Sequence, residues 1–159
     1  MLLTLAHIGP KSARQGAKSH YDALTRLYLD RIAPYHPIQT EVFSTEAAFL
    51  QWLTRPTPTG KAGRTPALPV FLHREGRPLA SPEVAAWLGQ RRDQGAQHLV
   101  FAIGPPDGWS PDALVQARPA LLLSFGPITL PHELARLVLA EQLYRACTIL
   151  ANHPYHSGH

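Results

Sequence analysis

Short apolar runs alternate with helical patterns along this chain, and no other feature constrains its fold as strongly. Between the first two runs, Tyr21, Leu24, Leu27, Tyr28 and Ile32 recur at helical spacing. Such alternation is typical of an α/β domain with a mainly parallel sheet. We expect strands at residues 2–8, 38–43, 68–73, 98–103 and 120–125, and further helices at 47–53, 82–88 and 131–150.

Length and composition indicate one globular domain that associates with other molecules. The 159 residues fit a single domain, and only 16% are charged while 45% are hydrophobic. So little charge suggests that a partner covers some apolar surface, which favours an oligomer. A net charge of +4 suits a polyanionic partner but is equally compatible with an ordinary, slightly basic protein.

Compartment and membrane topology follow from one cysteine and from the lengths of the apolar runs. Cys147 stands alone, so no intramolecular disulfide can form, and a reducing cytoplasm is the expected compartment. Its position within the last helical pattern predicts a small core residue. The first apolar run is too short for a signal sequence, and no segment is long enough to span a membrane.

Two stretches depart from ordinary patterning: residues 54–69 have no apolar periodicity, and the last helix has too wide an apolar surface for a single stripe. Residues 54–69, TRPTPTGKAGRTPALP, predict an exposed loop whose Arg55, Lys61 and Arg64 serve either RNA phosphates or solubility alone. The last helix is apolar over more than one stripe, so it is covered either by the chain's own core or by another subunit. Its apolar residues are Leu134, Leu137, Val138, Leu139, Leu143, Ala146, Cys147 and Leu150.

Two glycine-bearing turns leave apolar strands near the C-terminal third. The first, IGPPDG, contains Gly104 and Gly108, and the second, SFGPITLPHE, enters the last helix through Pro131. Loops at adjacent strand ends predict the floor of a small-molecule pocket. Neither turn has the G-x-G-x-x-G spacing of a dinucleotide-binding unit, so NAD binding is not expected.

Three motifs follow in order along the chain: IGPPDG, then LSFGPITLPHELARLVLAEQLYRA, then NHPYH. Together they resemble the SPOUT-class RNA methyltransferases, and most closely the RlmH family. The resemblance is most specific over residues 99–156 and looser over 68–96. It implies methyl transfer from S-adenosylmethionine to N3 of a pseudouridine in 23S ribosomal RNA, within the large subunit or assembled ribosome. It also implies a homodimer and a C-terminal trefoil knot, in one SPOUT domain spanning residues 1–159. No carboxylate or cysteine accompanies the tail histidines His153, His156 and His159, so no metal site is expected.

The resemblance further implies a cofactor site built mainly from loop backbone. Apolar side chains there would sandwich the purine while amides and carbonyls contact its edge. The matching positions are Leu72, Gly104, Pro105, Gly126, Pro127, Ile128, Thr129, Leu130 and Pro131.

Candidate catalytic residues lie at and beyond the end of the last helix. An imide nitrogen must lose its proton to attack a methyl group, which requires a base or a cation that favours the imidate. We assign His156 as the base, Tyr155 to stacking or hydrogen bonding, and Arg145 as the electrostatic partner, with His153, Tyr155 and His156 contacting RNA. Arg145 is alternatively an ordinary helix-surface partner of Glu141. Residues 152–159 are expected to form an extended arm, or else a disordered tail with a chance histidine cluster.

Departures from the family pattern leave a second interpretation open. Pro105 stands where the family has a second glycine, His73 replaces an aspartate, and Ser157 replaces an arginine. Proline supplies no N–H, so a cofactor contact through that amide would be lost. The alternatives are therefore a divergent, non-catalytic homologue that binds RNA or ribosome, and a methyltransferase with another RNA substrate.

Overall fold

The computed structural model describes residues 1–9, 20–55, 57–58 and 64–157. The five expected strands and four expected helices are present, and α4 was missed from sequence. In chain order the elements are β1 (Leu2–Ile8), α1 (His20–Ile32), β2 (Ile38–Phe43), α2 (Glu46–Leu53), β3 (Thr57–Pro58), β4 (Arg64–Thr65), β5 (Leu68–Pro78), α3 (Ser81–Asp93), β6 (His98–Ile103), α4 (Pro111–Ala117), β7 (Leu121–Ser124), α5 (His132–Leu150) and a 3-10 turn (Pro154–His156).

The main sheet confirms the predicted α/β architecture. Its five strands run in the order β2-β1-β6-β5-β7, and each neighbouring pair is parallel. Carboxyl ends of parallel strands share one edge of the sheet, so the turn after β6 and the loop after β7 lie at that edge. Ligands of open α/β sheets bind at such edges.

Helices cover both faces of the sheet, because strand side chains alternate between two cores. On the first face Leu3, Leu5 and Phe101 pack with α1, α3 and α5. On the second, Ala6 and Val100 pack with α2 and α4. Since α5 supplies eight buried residues, it is the principal cover of the first face.

Strand β5 continues five residues beyond its predicted end and is irregular there. Leu123 of β7 has both Leu72 and Arg77 as Cα partners, so residues 73–76 leave the ladder between two paired segments. Gly76 permits this path, because a Cβ at that position would lie 2.6 Å from the Leu122 carbonyl oxygen. The trefoil knot implied by the family resemblance stays a prediction.

Residues 54–69 are not a simple exposed loop, so that prediction is wrong in part. Two short antiparallel strands, β3 and β4, pair within it, and Lys61 lies outside the described residues. Its last two residues begin β5, where Pro69 is buried. The strand itself was expected from residue 68, so the predicted loop overlapped its first two residues, which pair with β6.

The prediction of an extended C-terminal arm is also wrong. Helix α5 ends at Leu150, Asn152 adopts a left-handed φ of 53°, and Pro154–His156 forms a 3-10 turn. The chain reverses there, so Tyr155 packs back against Tyr144 of α5 with ring centroids 4.7 Å apart. Residues 158–159 lie outside the described part.

Candidate functional site

A cavity of about 480 Å³ opens at the carboxyl edge of the sheet. It lies between the residues that follow β5, the loop after β7, and one side of α5. Its walls are mostly apolar and include Leu79, Phe125, Ile128, Leu130, Leu139 and Leu143. Ser124 and Gln142 add polar atoms, and this mixture of apolar walls with few polar groups is typical of small-molecule sites.

The loop after β7 presents backbone groups at this cavity. Gly126 has a φ of 88°, and its N–H donates to the Ser124 hydroxyl at 3.1 Å. Within the described residues, the N–H groups of Ile128, Thr129 and Leu130 have no hydrogen-bond partner. Ile128 and Leu130 also line the cavity, so their unengaged N–H groups are candidate donors to a bound heterocycle.

The predicted cofactor residues divide into two groups in the structure. Gly126, Ile128 and Leu130 line the cavity, and Pro127, Thr129 and Pro131 are exposed members of the same loop. Leu72, Gly104 and Pro105 are not among its lining residues, although they stand at the neighbouring strand ends.

Trp109 explains the environment of Leu72 and Gly104. Its indole stacks on Phe71 with ring centroids 3.9 Å apart, and its N–H donates to the Leu72 carbonyl at 3.1 Å. A Cβ at Gly104 would lie 2.9 Å from the same indole. Gly104 is thus required for the close approach of a tryptophan, a structural role that the sequence did not reveal.

Pro105 is compatible with the turn that contains it. Its carbonyl accepts from the Gly108 N–H at 2.9 Å, and Gly108 takes the positive φ of 88°. The turn therefore closes through the carbonyl of Pro105 and does not use the amide that proline lacks.

The three predicted catalytic residues come together beside α5, around a carboxylate that sequence reasoning had treated only as a surface partner. Glu141 Oε1 accepts from Arg145 Nε at 3.0 Å, from Arg145 Nη2 at 2.7 Å and from the Tyr155 hydroxyl at 3.1 Å. Arg145 Nη1 lies 3.4 Å from His156 Nδ1. We call Glu141, Arg145, Tyr155 and His156 the tail cluster; His153 only caps the 3-10 turn through the Tyr155 N–H.

The tail cluster fixes the state of its phenol. The Tyr155 ring is held between Tyr144 and the Arg145 guanidinium, 4.9 Å from its centroid. Burial, and then hydrogen bonds with Tyr28 and Glu141, raises the pKa of Tyr155 well above its usual value. Tyr155 therefore remains a neutral hydrogen-bond donor at physiological pH. The hydrogen bond to Glu141 also raises the pKa of Arg145, which stays cationic.

Gln142 joins the tail cluster to the cavity and was missed from sequence. Its Nε2 donates to Glu141 Oε2 at 2.7 Å, and its Oε1 accepts from the Ser81 hydroxyl at 2.7 Å. Gln142 is a polar residue on an otherwise apolar side of α5, and this pattern was the sequence signal that could have identified it. One continuous set of hydrogen bonds thus runs from the cavity wall to His156.

A second polar group lies where β1 ends and α5 begins. The His7 and His132 rings meet edge to face with centroids 5.5 Å apart, and Arg136 binds both Asp22 and Glu133. Burial, followed by the charge of Arg136, lowers the pKa of His7 to about 4. His7 is therefore a neutral side chain at physiological pH.

The described part of the chain contains no group of three side chains arranged to hold a metal ion. None of its helices is both long and apolar enough to cross a membrane.

Comparison with known proteins places the chain in a family. A family model described as "Predicted SPOUT methyltransferase" matches residues 1–156. The ribosomal RNA large subunit methyltransferase H of Koribacter versatilis is 46% identical over 142 residues, which cover 89% of this chain and 92% of that protein. Proteins of the same name from Brucella ovis and Brucella abortus are each 48% identical over 87 residues, covering 55% of this chain and half of theirs. With its parallel α/β sheet and a cavity at the carboxyl edge, this chain belongs to the SPOUT methyltransferase family.

Proposed function

We propose that this methyltransferase transfers the methyl group of S-adenosylmethionine to N3 of a pseudouridine in 23S ribosomal RNA. The observation that carries the proposal is the cavity beside the loop at 126–130, which adjoins the tail cluster through Gln142. The name of the Koribacter relative, which aligns over 89% of the chain, supports the large ribosomal subunit as the substrate.

The chemistry of the cavity suits S-adenosylmethionine. Leu79, Ile128 and Leu130 supply apolar surface for a purine, and the unengaged N–H groups of the loop supply donors for its nitrogen atoms. Ser124 and Gln142, whose side chains also hydrogen-bond within the protein, would offer their remaining hydrogen-bonding capacity to the ribose or the amino-acid part. When bound, the cofactor supplies an activated methyl group on a sulfonium.

The residues of the tail cluster would act on the imide of the target base. Methyl transfer requires the nitrogen nucleophile to be aligned with the methyl carbon, and its proton must leave. Arg145, held by Glu141, supplies a fixed cation that stabilises the imidate. Tyr155 serves as a donor or stacking group rather than as a base, because its raised pKa keeps it protonated.

His156 remains the candidate for the proton acceptor. In the arrangement described here Arg145 donates toward His156 Nδ1, which places the imidazole proton on Nε2. We infer that substrate entry displaces the 3.4 Å contact between Arg145 Nη1 and His156, while Glu141 keeps the guanidinium in place, and so frees Nδ1 to accept the N3 proton. The proton would then leave on His156 while the methyl group moves from sulfur to nitrogen.

We also propose that the enzyme is a homodimer of single-domain subunits. Tyr21, Leu24 and Leu27 are large apolar residues exposed on α1, which packs against α5. Ile128 is 64% exposed at the mouth of the cavity. A second subunit covering these residues would account for an apolar surface that a monomer leaves in water. Ribosomes as substrate imply a cytoplasmic location.

Blocking the cavity tests the cofactor assignment. Leu130→Trp places an indole in the cavity. We therefore expect calorimetric titration to show S-adenosylmethionine binding by the parent protein and none by this variant. Val115→Trp is the matched control, because Val115 is exposed on α4. Undiminished binding by Leu130→Trp would remove the cavity from the cofactor site.

The non-catalytic alternative rests on Pro105 and has its own test. Because the turn closes through the Pro105 carbonyl, we expect Pro105→Gly to change the cofactor dissociation constant by less than about threefold. If the parent protein does not bind cofactor and Pro105→Gly does, the parent has lost activity at this turn and the non-catalytic interpretation is favoured.

A further inference from the structure

We propose that Arg74, on the unpaired segment at 73–76 of β5, and Arg77, at the point where pairing with β7 resumes, form a contact site for RNA phosphates at the rim of the cavity. The inference rests on the proposed function, since it assigns the binding of the same RNA substrate. It concerns residues outside the tail cluster and outside the cofactor set.

The backbone of this segment is held firmly against β7. Gly76 lies so close to Leu122 that a Cβ would meet its carbonyl oxygen at 2.6 Å. The Ser124 hydroxyl donates to the Arg74 carbonyl at 3.2 Å, and the Glu75 N–H donates to His73 Nδ1 at 3.1 Å. These contacts fix where the two arginines leave the surface.

Their side chains, in contrast, are free to bind. The Arg74 side chain is 87% exposed, and its ion pair is with the neighbouring Glu75 at 3.4 Å, itself 73% exposed. Such a pair contributes little in water and is readily exchanged for a phosphate. Arg77 is exposed and has no ion-pair partner among the described residues. Planar guanidinium groups bind phosphate oxygens bidentately.

Position favours an RNA strand over another acidic partner. Pro78 and Leu79, which line the cavity, directly follow Arg77, and Ser124 lines it while holding Arg74. In an extended chain the two arginine Cα atoms are at most about 10 Å apart, which allows them to contact phosphates of one strand. A strand held there would pass the cavity mouth, where its target base must enter.

The test compares Arg74→Gln/Arg77→Gln with Arg26→Gln/Arg92→Gln, which removes the same charge from two exposed, paired arginines elsewhere. Large-subunit binding is measured by filter retention across a salt series. We expect the first variant to lower the slope of log K against log salt by about 1 to 2, with roughly tenfold weaker binding at low salt. The control should retain the parent's slope.

Two further readouts separate this inference from the proposed function. Cofactor binding by calorimetry should be unchanged in the first variant, and in the methylation assay KM for ribosomes should rise while kcat is retained. An unchanged slope and KM, in a parent protein that methylates ribosomes, would overturn the inference and leave the function intact. If the parent protein binds large subunits without methylating them, and the first variant still lowers the slope, the phosphate contact is supported and the proposed activity is rejected. Equal losses in both double variants would indicate general charge attraction and overturn the site.

Discussion

The Glu141 carboxylate ties the last helix to the turn that follows it. It accepts two hydrogen bonds from Arg145 and one from Tyr155, and both Glu141 and Arg145 are largely shielded from water. The spacing of Glu141 and Arg145 made a surface ion pair one of two interpretations of Arg145; the structure contains the pair, but in a largely shielded position. The spacing could not predict Tyr155 as a third member, since that contact depends on the reversal of the chain after α5.

Glu141→Gln should destabilise the protein, because Arg145 would lose its charged partner in a half-buried site. We expect a decrease of about 1–3 kcal/mol in the free energy of unfolding, measured by urea denaturation. Asp30→Asn breaks the exposed ion pair of Arg26 and serves as the control, with an expected change below about 0.5 kcal/mol. Equal effects of the two substitutions would mean that the tail cluster is no tighter than a surface pair.

His7 should make stability depend on pH in mild acid. Its pKa is about 4 in the folded protein, against an ordinary value of 6.5, so only the unfolded chain binds a proton between these values. The contribution of His7 to the free energy of unfolding is therefore fully present above pH 6.5. It falls by up to about 3 kcal/mol as the pH drops to 4. Arg136 and His132 oppose the protonation of His7, while Asp22 favours it.

Chemical denaturation of His7→Gln at pH 7 and pH 4.5 measures this contribution. The variant should lose less stability than the parent protein over that interval. Burial also lowers the pKa of His36 and His98, so part of the acid sensitivity should persist. His20→Gln, at an exposed position, provides the control. A parental pH slope in His7→Gln would exclude His7 as the source.

At the scale of elements, apolar periodicity predicted the sheet but not its irregularities. Strands such as β6 are continuous apolar runs, and their bounds were predicted from sequence. The extension of β5 beyond residue 73, through Arg74 and Glu75, was not, because these polar residues carry no strand signal. Helix α4 was also missed: it is short, and Ser110 both caps it and binds Glu46 of α2.

Gly76 should tolerate no side chain, because the segment at 73–76 packs directly on β7. Gly76→Ala would place a methyl group against backbone atoms of Leu122, so we expect at least about 2 kcal/mol of destabilisation by urea denaturation. Gly95→Ala is the comparison, since its φ of 86° brings strain but its surroundings are open. About 1 kcal/mol is expected there. A harmless Gly76→Ala would contradict the close packing of this segment.

The candidate site could be predicted only in part for a related reason. The sequence identified the loop at 126–131 and the tail residues as candidates, since both carry recognisable motifs. It did not show that the Trp109 indole donates to the Leu72 carbonyl or that the Ser81 hydroxyl binds Gln142, because these partners are 37 and 61 positions apart in the sequence.

At the scale of the whole molecule, the apolar face of α1 predicts association. Leu24→Glu/Leu27→Glu would place two charges in the proposed subunit interface. We expect sedimentation velocity to show a dimer for the parent protein and a monomer for this variant, since burying unpaired charges opposes association. A monomeric parent protein would contradict the dimer, and a dimeric variant would assign its interface to another surface.

Detection of the methylated nucleoside tests the proposed reaction directly. Ribosomal large subunits that lack the modification are incubated with the enzyme and methyl-labelled S-adenosylmethionine, and the nucleosides of their 23S RNA are analysed by mass spectrometry. We expect one new labelled nucleoside, a pseudouridine methylated at N3, which depends on an open cavity and disappears with Leu130→Trp. Absence of label despite bound cofactor, or label on any other nucleoside, would contradict it.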